Sequence, residues 1–224
     1  NTDGQGTSWS ATNWSFDNPT SIYPTDMDND GDIDVVGSAY FSAQIRWWEN
    51  VDGTGSIWTE HVVVNGYSGA MGVYTSDIDS DGDQDIVGSA ESLDAVRWWE
   101  NLDGAGTNWT QHSITETLDR AWHVFAKDLN GDGNIDVVAS GNWANKIRWW
   151  ENVDGSGTSW NNHIIANEFD GALGVFVADI DNDGDEDVLG TAQIDDEICW
   201  WENQDGSGLQ WIVHVLDTEF DGAN

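Results

Sequence analysis

Hydrophobic and polar positions alternate along this chain in short bursts, and the bursts recur. Starting at residue 72, Gly72-Val73-Tyr74-Thr75-Ser76 reads as a strand, Asp85-Ile86-Val87-Gly88-Ser89 as a second and Ala95-Val96-Arg97-Trp98-Trp99-Glu100 as a third. Trp109 to Ile114 is a fourth. Period-two runs this short, punctuated by Gly and Asp, predict hairpin-linked strands rather than helices. The pattern returns every 51 residues, as the first residues of its acidic loop show: Asp26, Asp77, Asp128 and Asp179. Four antiparallel strands in a repeat of about 40 to 50 residues make the blade of a β-propeller. The expected fold is therefore all-β, a propeller-type array with blades at residues 21–71, 72–122, 123–173 and 174–224. Residues 1–20 form a partial repeat, because Asn1 to Trp9 (NTDGQGTSW) matches Asn50 to Trp58 (NVDGTGSIW). An outer-strand equivalent is expected around Trp9 to Phe16. Such a strand is surplus to a ring closed by four blades, so the chain reads as a section of a longer array or as one that completes its sheets with another copy.

Within the third strand of each unit stands a tryptophan pair: Trp47-Trp48, Trp98-Trp99, Trp149-Trp150 and Trp200-Trp201. Neighbours on a strand point to opposite faces. One Trp of each pair should therefore join Ile45, Val96, Ile147 or Ile198 between blades, and the other should share a face with Arg46, Arg97 or Arg148 in a cation–π contact. Trp48, Trp99, Trp150 and Trp201, the second of each pair, are the candidates for stacking on a sugar. A His series, His61, His112, His163 and His214, lies in the fourth strand beside Trp58, Trp109, Trp160 and Trp211. Symmetry puts each His in its own blade, which favours packing or blade-to-blade hydrogen bonding over a shared metal site. No Ser/His/Asp or Cys/His set stands outside the repeat, and no catalytic residue is expected.

The loop between the first two strands carries the chemistry. Positions 1, 3, 5 and 9 supply Asp26, Asp28, Asp30 and Asp34; then Asp77, Asp79, Asp81 and Asp85; then Asp128, Asn130, Asp132 and Asp136; and finally Asp179, Asp181, Asp183 and Asp187. Position 6 is Gly in every copy, and position 7 (Asp32, Asp83, Asn134, Asp185) would offer its backbone carbonyl. Such a set wraps oxygens around one hard cation, and calcium fits best, with about one ion per repeat and four in all. Magnesium prefers a small octahedral shell with several waters, and zinc would want His or Cys, which the loops lack. An EF-hand needs a bidentate Glu at position 12; here that position is Gly37, Gly88, Ala139 and Gly190.

Charge narrows the partners. Forty-two Asp and Glu against six Lys and Arg give a net charge of −36, which excludes nucleic acid and anionic membrane surfaces as targets. Aromatic residues at 12 % and hydrophobic residues at 38 % suffice for a core, so the acidity is not that of a disordered polyelectrolyte. Cys199 is the single cysteine and forms no internal disulfide. No signal peptide or long apolar run is present, and the chain begins at Asn1, as a processed or excised product would. Asn13-Trp14-Ser15 and Asn108-Trp109-Thr110 are sequons, whereas the proline of Asn18-Pro19-Thr20 blocks a third.

With the loop D-x-D-x-D-G-x-x-D and the run WWEN (Trp47–Asn50, Trp98–Asn101, Trp149–Asn152, Trp200–Asn203) on the page, the chain resembles the FG-GAP/VCBS repeats, the calcium-binding propeller repeats also found in integrin α-subunits. The resemblance implies a closed ring of about seven blades, calcium in the loops, and an extracellular or surface-attached protein serving adhesion, recognition or scaffolding. Weak calcium sites, at roughly 10⁻⁴ to 10⁻³ M, also suit calcium outside the cell. Four readings follow: a calcium-binding module for adhesion or extracellular assembly, a lectin, the non-catalytic propeller of a larger enzyme, and self-association through residues 1–20 and the last blade. The partner is expected to be a protein or glycan outside the cell.

Overall fold

The computed structural model describes residues 15–219. Blade 1 comprises β1 (Pro19–Thr25), β2 (Asp34–Ala39), β3 (Gln44–Asn50) and β4 (Trp58–Asn65). Blade 2 comprises β5 (Ala70–Ser76), β6 (Asp85–Ala90), β7 (Ala95–Asn101) and β8 (Trp109–Thr115). Blade 3 follows with β9 (Ala121–Lys127), β10 (Asp136–Gly141), β11 (Lys146–Asn152) and β12 (Trp160–Asn167), and blade 4 with β13 (Ala172–Ala178), β14 (Asp187–Ala192), β15 (Glu197–Asn203) and β16 (Trp211–Asp217). Each blade is a separate antiparallel sheet with its strands in chain order. The partial repeat and the Asn13 sequon lie largely outside the described residues, so the outer strand expected at residues 9–16 has no structural description. Among the described residues no helix is long and apolar enough to cross a membrane.

The blades stack through their first strands, β1 on β5, β5 on β9 and β9 on β13. A ladder of rings marks this line. Tyr23 and Tyr74 lie 4.2 Å apart between centroids, Tyr74 and Phe125 4.2 Å, and Phe125 and Phe176 4.9 Å. Among the described residues no comparable packing joins β13 back to β1, and the four blades form an open arc. The pairing of the third and fourth strands slips by one residue at the same place in every blade, after Ile45, Val96, Ile147 and Ile198. A bulge there increases strand twist and turns the outer strand in the same way each time.

Apolar side chains from adjoining blades interlock. Ile45 and Trp47 of blade 1 meet Val73, Ile86 and Trp99 of blade 2, and Trp149 of blade 3 meets Val175 and Trp201 of blade 4. Both Trp of the first three pairs are therefore inside, and in the last blade Trp201 is buried while Trp200 is half-buried. Trp48, Trp99, Trp150 and Trp201 are only 2–5 % exposed, which corrects their assignment as sugar-stacking rings. The physical reason is that a stacked blade covers both faces of its middle strands, so period-two alternation does not select a solvent face there. β6 and β10 are buried at every position.

The arginines also sit otherwise than expected. Arg46 lies 5.4 Å from the Phe16 ring and Arg97 5.5 Å from the Tyr67 ring. Those rings in turn meet Trp48 and Trp99 edge-on. An aromatic residue from the chain leading into the blade thus separates guanidinium from indole. The four histidines pack within blades: each stacks on the first Trp of its own blade at 4.3–4.5 Å and bonds a Glu of the adjacent strand at 2.7–3.1 Å.

Candidate metal centres

Every acidic loop is shaped by its own backbone. Gly31, Gly82, Gly133 and Gly184 at position 6 have φ of 92–101°, a conformation that glycine reaches without steric cost. Their N–H groups donate to the position-1 carboxylates of Asp26, Asp77, Asp128 and Asp179 at 2.9–3.2 Å. The position-9 carboxylate anchors the other side. Asp34 accepts from the Met27 N–H at 2.9 Å and from the Asn50 N–H at 2.8 Å, joining the loop to β3. Asp85, Asp136 and Asp187 make the same pair of bonds.

Positions 1, 3 and 9 converge. Oxygens of Asp26, Asp28 and Asp34 lie within 4.8 Å of one another, as do those of Asp77, Asp79 and Asp85 and those of Asp179, Asp181 and Asp187. In the third loop Asn130 replaces one carboxylate, and its Oδ1 accepts from the Asp132 N–H at 3.0 Å, the role that Asp28, Asp79 and Asp181 play elsewhere. Position 5 (Asp30, Asp81, Asp183) is outside the tight group; its Oδ1 accepts from the N–H of position 7 at 2.8–2.9 Å. The side chains of Asp32, Asp83, Asn134 and Asp185 turn away, against Gly53, Gly104, Gly155 and Gly206 of the later turn, where a Cβ would collide with them. That leaves the main-chain carbonyl as the group position 7 can offer.

Electrostatics mark the same oxygens. Burial pushes the Asp85 and Asp136 carboxyls up to about 7, and neighbouring carboxylates add to the rise against the pull of two backbone N–H donors. Burial also raises Asp28, Asp34, Asp79 and Asp187. Asp26 Oδ1 and Asp77 Oδ1 are buried without a hydrogen-bond partner. A buried acceptor with no donor is costly, and a cation at the convergence of positions 1, 3 and 9 would satisfy it. An all-oxygen donor set of this kind can hold a hard metal ion.

One set of residues escaped the sequence reading. The side chain of Asn152 in β11 accepts from the Gly157 N–H at 3.0 Å and donates to Ile135 O at 3.2 Å and, in the preceding blade, to Ile78 O at 2.9 Å. Asn101 and Asn203 repeat this, reaching Met27 O at 3.3 Å and Leu129 O at 3.1 Å. Each ties a loop of one blade to the loop of the blade before. The signal was present in the unvarying last residue of WWEN.

Four-stranded blades stacked on their first strands, with one acidic loop between the first two strands of each, define a β-propeller-type repeat protein. The FG-GAP-like repeat model matches residues 26–88, 77–139 and 128–190, and the chain belongs to that family. Among curated proteins no sequence matches significantly. Solved structures match in fold alone. A catalytically inactive virginiamycin B lyase from Staphylococcus aureus with quinupristin aligns at a TM-score of 0.58 and 14 % identity, over 92 % of this chain and 58 % of the lyase. A nidogen/laminin complex aligns at 0.54 and 10 %, over 81 % of this chain and 61 % of that one. An auxiliary nutrient binding protein from Bacteroides ovatus aligns at 0.57 and 12 %, over 88 % and 46 %. The chain spans about half to three fifths of the length of these structures.

Proposed function

We propose that this chain is a calcium-clipped propeller section acting without catalysis of its own, as a recognition and assembly module outside the cell. The observation that carries the calcium reading is the orphaned oxygen of Asp26 and Asp77, each within a group of three converging carboxylates. Calcium takes six to eight oxygens in a flexible shell and accepts the mixture of carboxylate and carbonyl available here. Bound ions would discharge the crowded loops, so binding free energy becomes folding free energy. Weak sites of this type are filled where calcium is plentiful, which supports an extracellular setting. The absence of catalysis is inferred from the histidines: four, one in each blade, are committed to a Trp and a Glu, and His123 is committed to the Val175 main chain at 3.1 Å.

Assembly is supported by the two ends of the arc. Ile22 on β1 is 70 % exposed, whereas its counterparts Val73, Val124 and Val175 are buried against the preceding blade. Phe176 on β13 is 53 % exposed, whereas Phe125 is buried by the blade after it. Each end presents the half-interface that fits the other, a head-to-tail arrangement that yields rings or filaments.

Calorimetric titration of calcium into chelator-treated protein tests the central claim. Binding at about one ion per blade, with a melting temperature raised by many degrees, is the expected result. An unchanged melt on chelation would remove structural calcium from the reading.

A further inference from the structure

The acidic loops keep to the repeat in all four blades, but the opposite rim of the blades does not. There the first strands begin and the second strands end, and one set of positions breaks the pattern. Glu91 has Tyr40, Asn142 and Gln193 as counterparts; Arg120 has Asn18, Gly69 and Gly171; Trp122 has Thr20, Met71 and Leu173; Trp143 has Phe41, Ser92 and Ile194. These departures meet in space. A cavity of about 360 Å³ is walled by Tyr40, Met71, Glu91, Arg120 and Trp122, drawing on three blades.

Its polar wall is built around a buried charge. The Glu91 carboxylate, in a residue 8 % exposed, pairs with Arg120 Nε at 2.9 Å and accepts from the Tyr40 hydroxyl at 2.8 Å and the Ser92 hydroxyl at 3.1 Å. The Arg120 guanidinium carbon sits over Trp143, 3.5 Å from the ring centroid. Its backbone has φ 49°, left-handed, where Gly69 and Gly171 of the neighbouring blades have 72° and 74°. The counterpart Asn18 is left-handed too, at 56°, so the turn belongs to the repeat; here the Arg120 N–H donates to Asp94 Oδ1 at 2.9 Å and the turn carries a long side chain to the cavity.

We infer that this cavity binds a neutral sugar ring, a pocket of Tyr40, Glu91, Arg120 and Trp122 that deepens the recognition reading above and rests on it. Ligand pockets combine aromatic or apolar walls with a few placed polar groups, in volumes of about 300–1,000 Å³. Trp122, Tyr40 and Met71 supply the apolar part, matching the C–H faces of a pyranose. Arg120 uses only Nε on Glu91, and its Nη groups make no other hydrogen bond among the described residues. These donors suit sugar hydroxyls, and the Tyr40 oxygen, whose proton goes to Glu91, can accept from one. Charge selects against acidic sugars: the guanidinium is already neutralised by Glu91, and the chain at −36 repels anions.

The test uses the full chain with calcium present, where the calcium-dependent melt independently reports whether the module is intact. Saturation-transfer NMR and calorimetry are run with the methyl glycosides of glucose, galactose, mannose, xylose and N-acetylglucosamine, with glucuronate as the charged comparison. At least one neutral glycoside should bind saturably. Trp122→Met, which restores the residue of blade 2, should melt like wild type and weaken binding at least tenfold; Arg120→Gly should weaken it as far, with a lower melt because the buried Glu91 carboxylate loses its partner. No binding by any neutral glycoside, binding by glucuronate alone, or undiminished binding in both variants would overturn the assignment.

Discussion

Replacing Asn152 by Ala isolates what holds one blade to the next. The backbone N–H that bonds Asp136 survives, but three side-chain bonds disappear: to Gly157 N–H, Ile135 O and Ile78 O. Asn152 is fully buried, so the groups left behind gain no water. At roughly 1 kcal/mol net per bond, and more where a buried group is left unpaired, the loss is about 3–5 kcal/mol. For a chain of this size that is roughly 6–20 °C in melting temperature. Asn50 supplies the internal control, because among the described residues its side chain bonds only Gly55 N–H and Ile33 O, both within blade 1. Asn50→Ala should therefore cost less by about one bond, on the order of 1–1.5 kcal/mol. Urea denaturation of both variants followed by far-UV circular dichroism, at one fixed calcium concentration, measures the difference. Equal losses would show that the bond to Ile78 O contributes nothing, and the blade-to-blade role of this Asn would fall.

Two further outcomes are expected. In metal-free protein Asp85 and Asp136, raised to about 7, hold protons that the unfolded chain has released; that stabilisation is present below the unfolded value of 3.8 and lost as pH rises through about 7. Calcium must displace those protons, so the gain in melting temperature on adding calcium should be larger at pH 8 than at pH 5.5, and a gain that shrinks with rising pH would contradict the ligand assignment. At the ends of the arc, Ile22→Asp and Phe176→Asp should each abolish self-association in sedimentation velocity, while a mixture of the two variants forms dimers through its one intact pair of ends; a monomeric wild type would dispose of the assembly reading.

The arc and its loops were legible because each unit states them again. A loop that reads as one turn among many becomes a candidate metal centre when four copies place Asp or Asn at the same offsets, and the carboxylates of positions 1, 3 and 9 converge in three of them. The faces of the strands were less legible. Trp48, Trp99, Trp150 and Trp201 looked like a solvent face because alternation implies one, but the neighbouring blades, and Phe16 against Trp48, leave none. Arg97 reaches Tyr67 rather than Trp99, since the approach of the connecting chain is not encoded in strand period. Glu91, Arg120 and Trp122 were invisible for the opposite reason: a search for what repeats passes over what does not.

The carbonyl of Gly106 accepts two indole N–H groups, from Trp47 of the preceding blade at 3.0 Å and from Trp109 of its own at 2.9 Å. Gly157 and Gly208 do the same for Trp98 with Trp160 and for Trp149 with Trp211. Plug and socket of every joint are thus written in a single stretch of 51 codons. Duplicating or deleting that stretch would add or remove a blade without any new interface having to evolve, leaving copy number free to drift until some other requirement, such as closure or a ligand spanning several blades, fixes it.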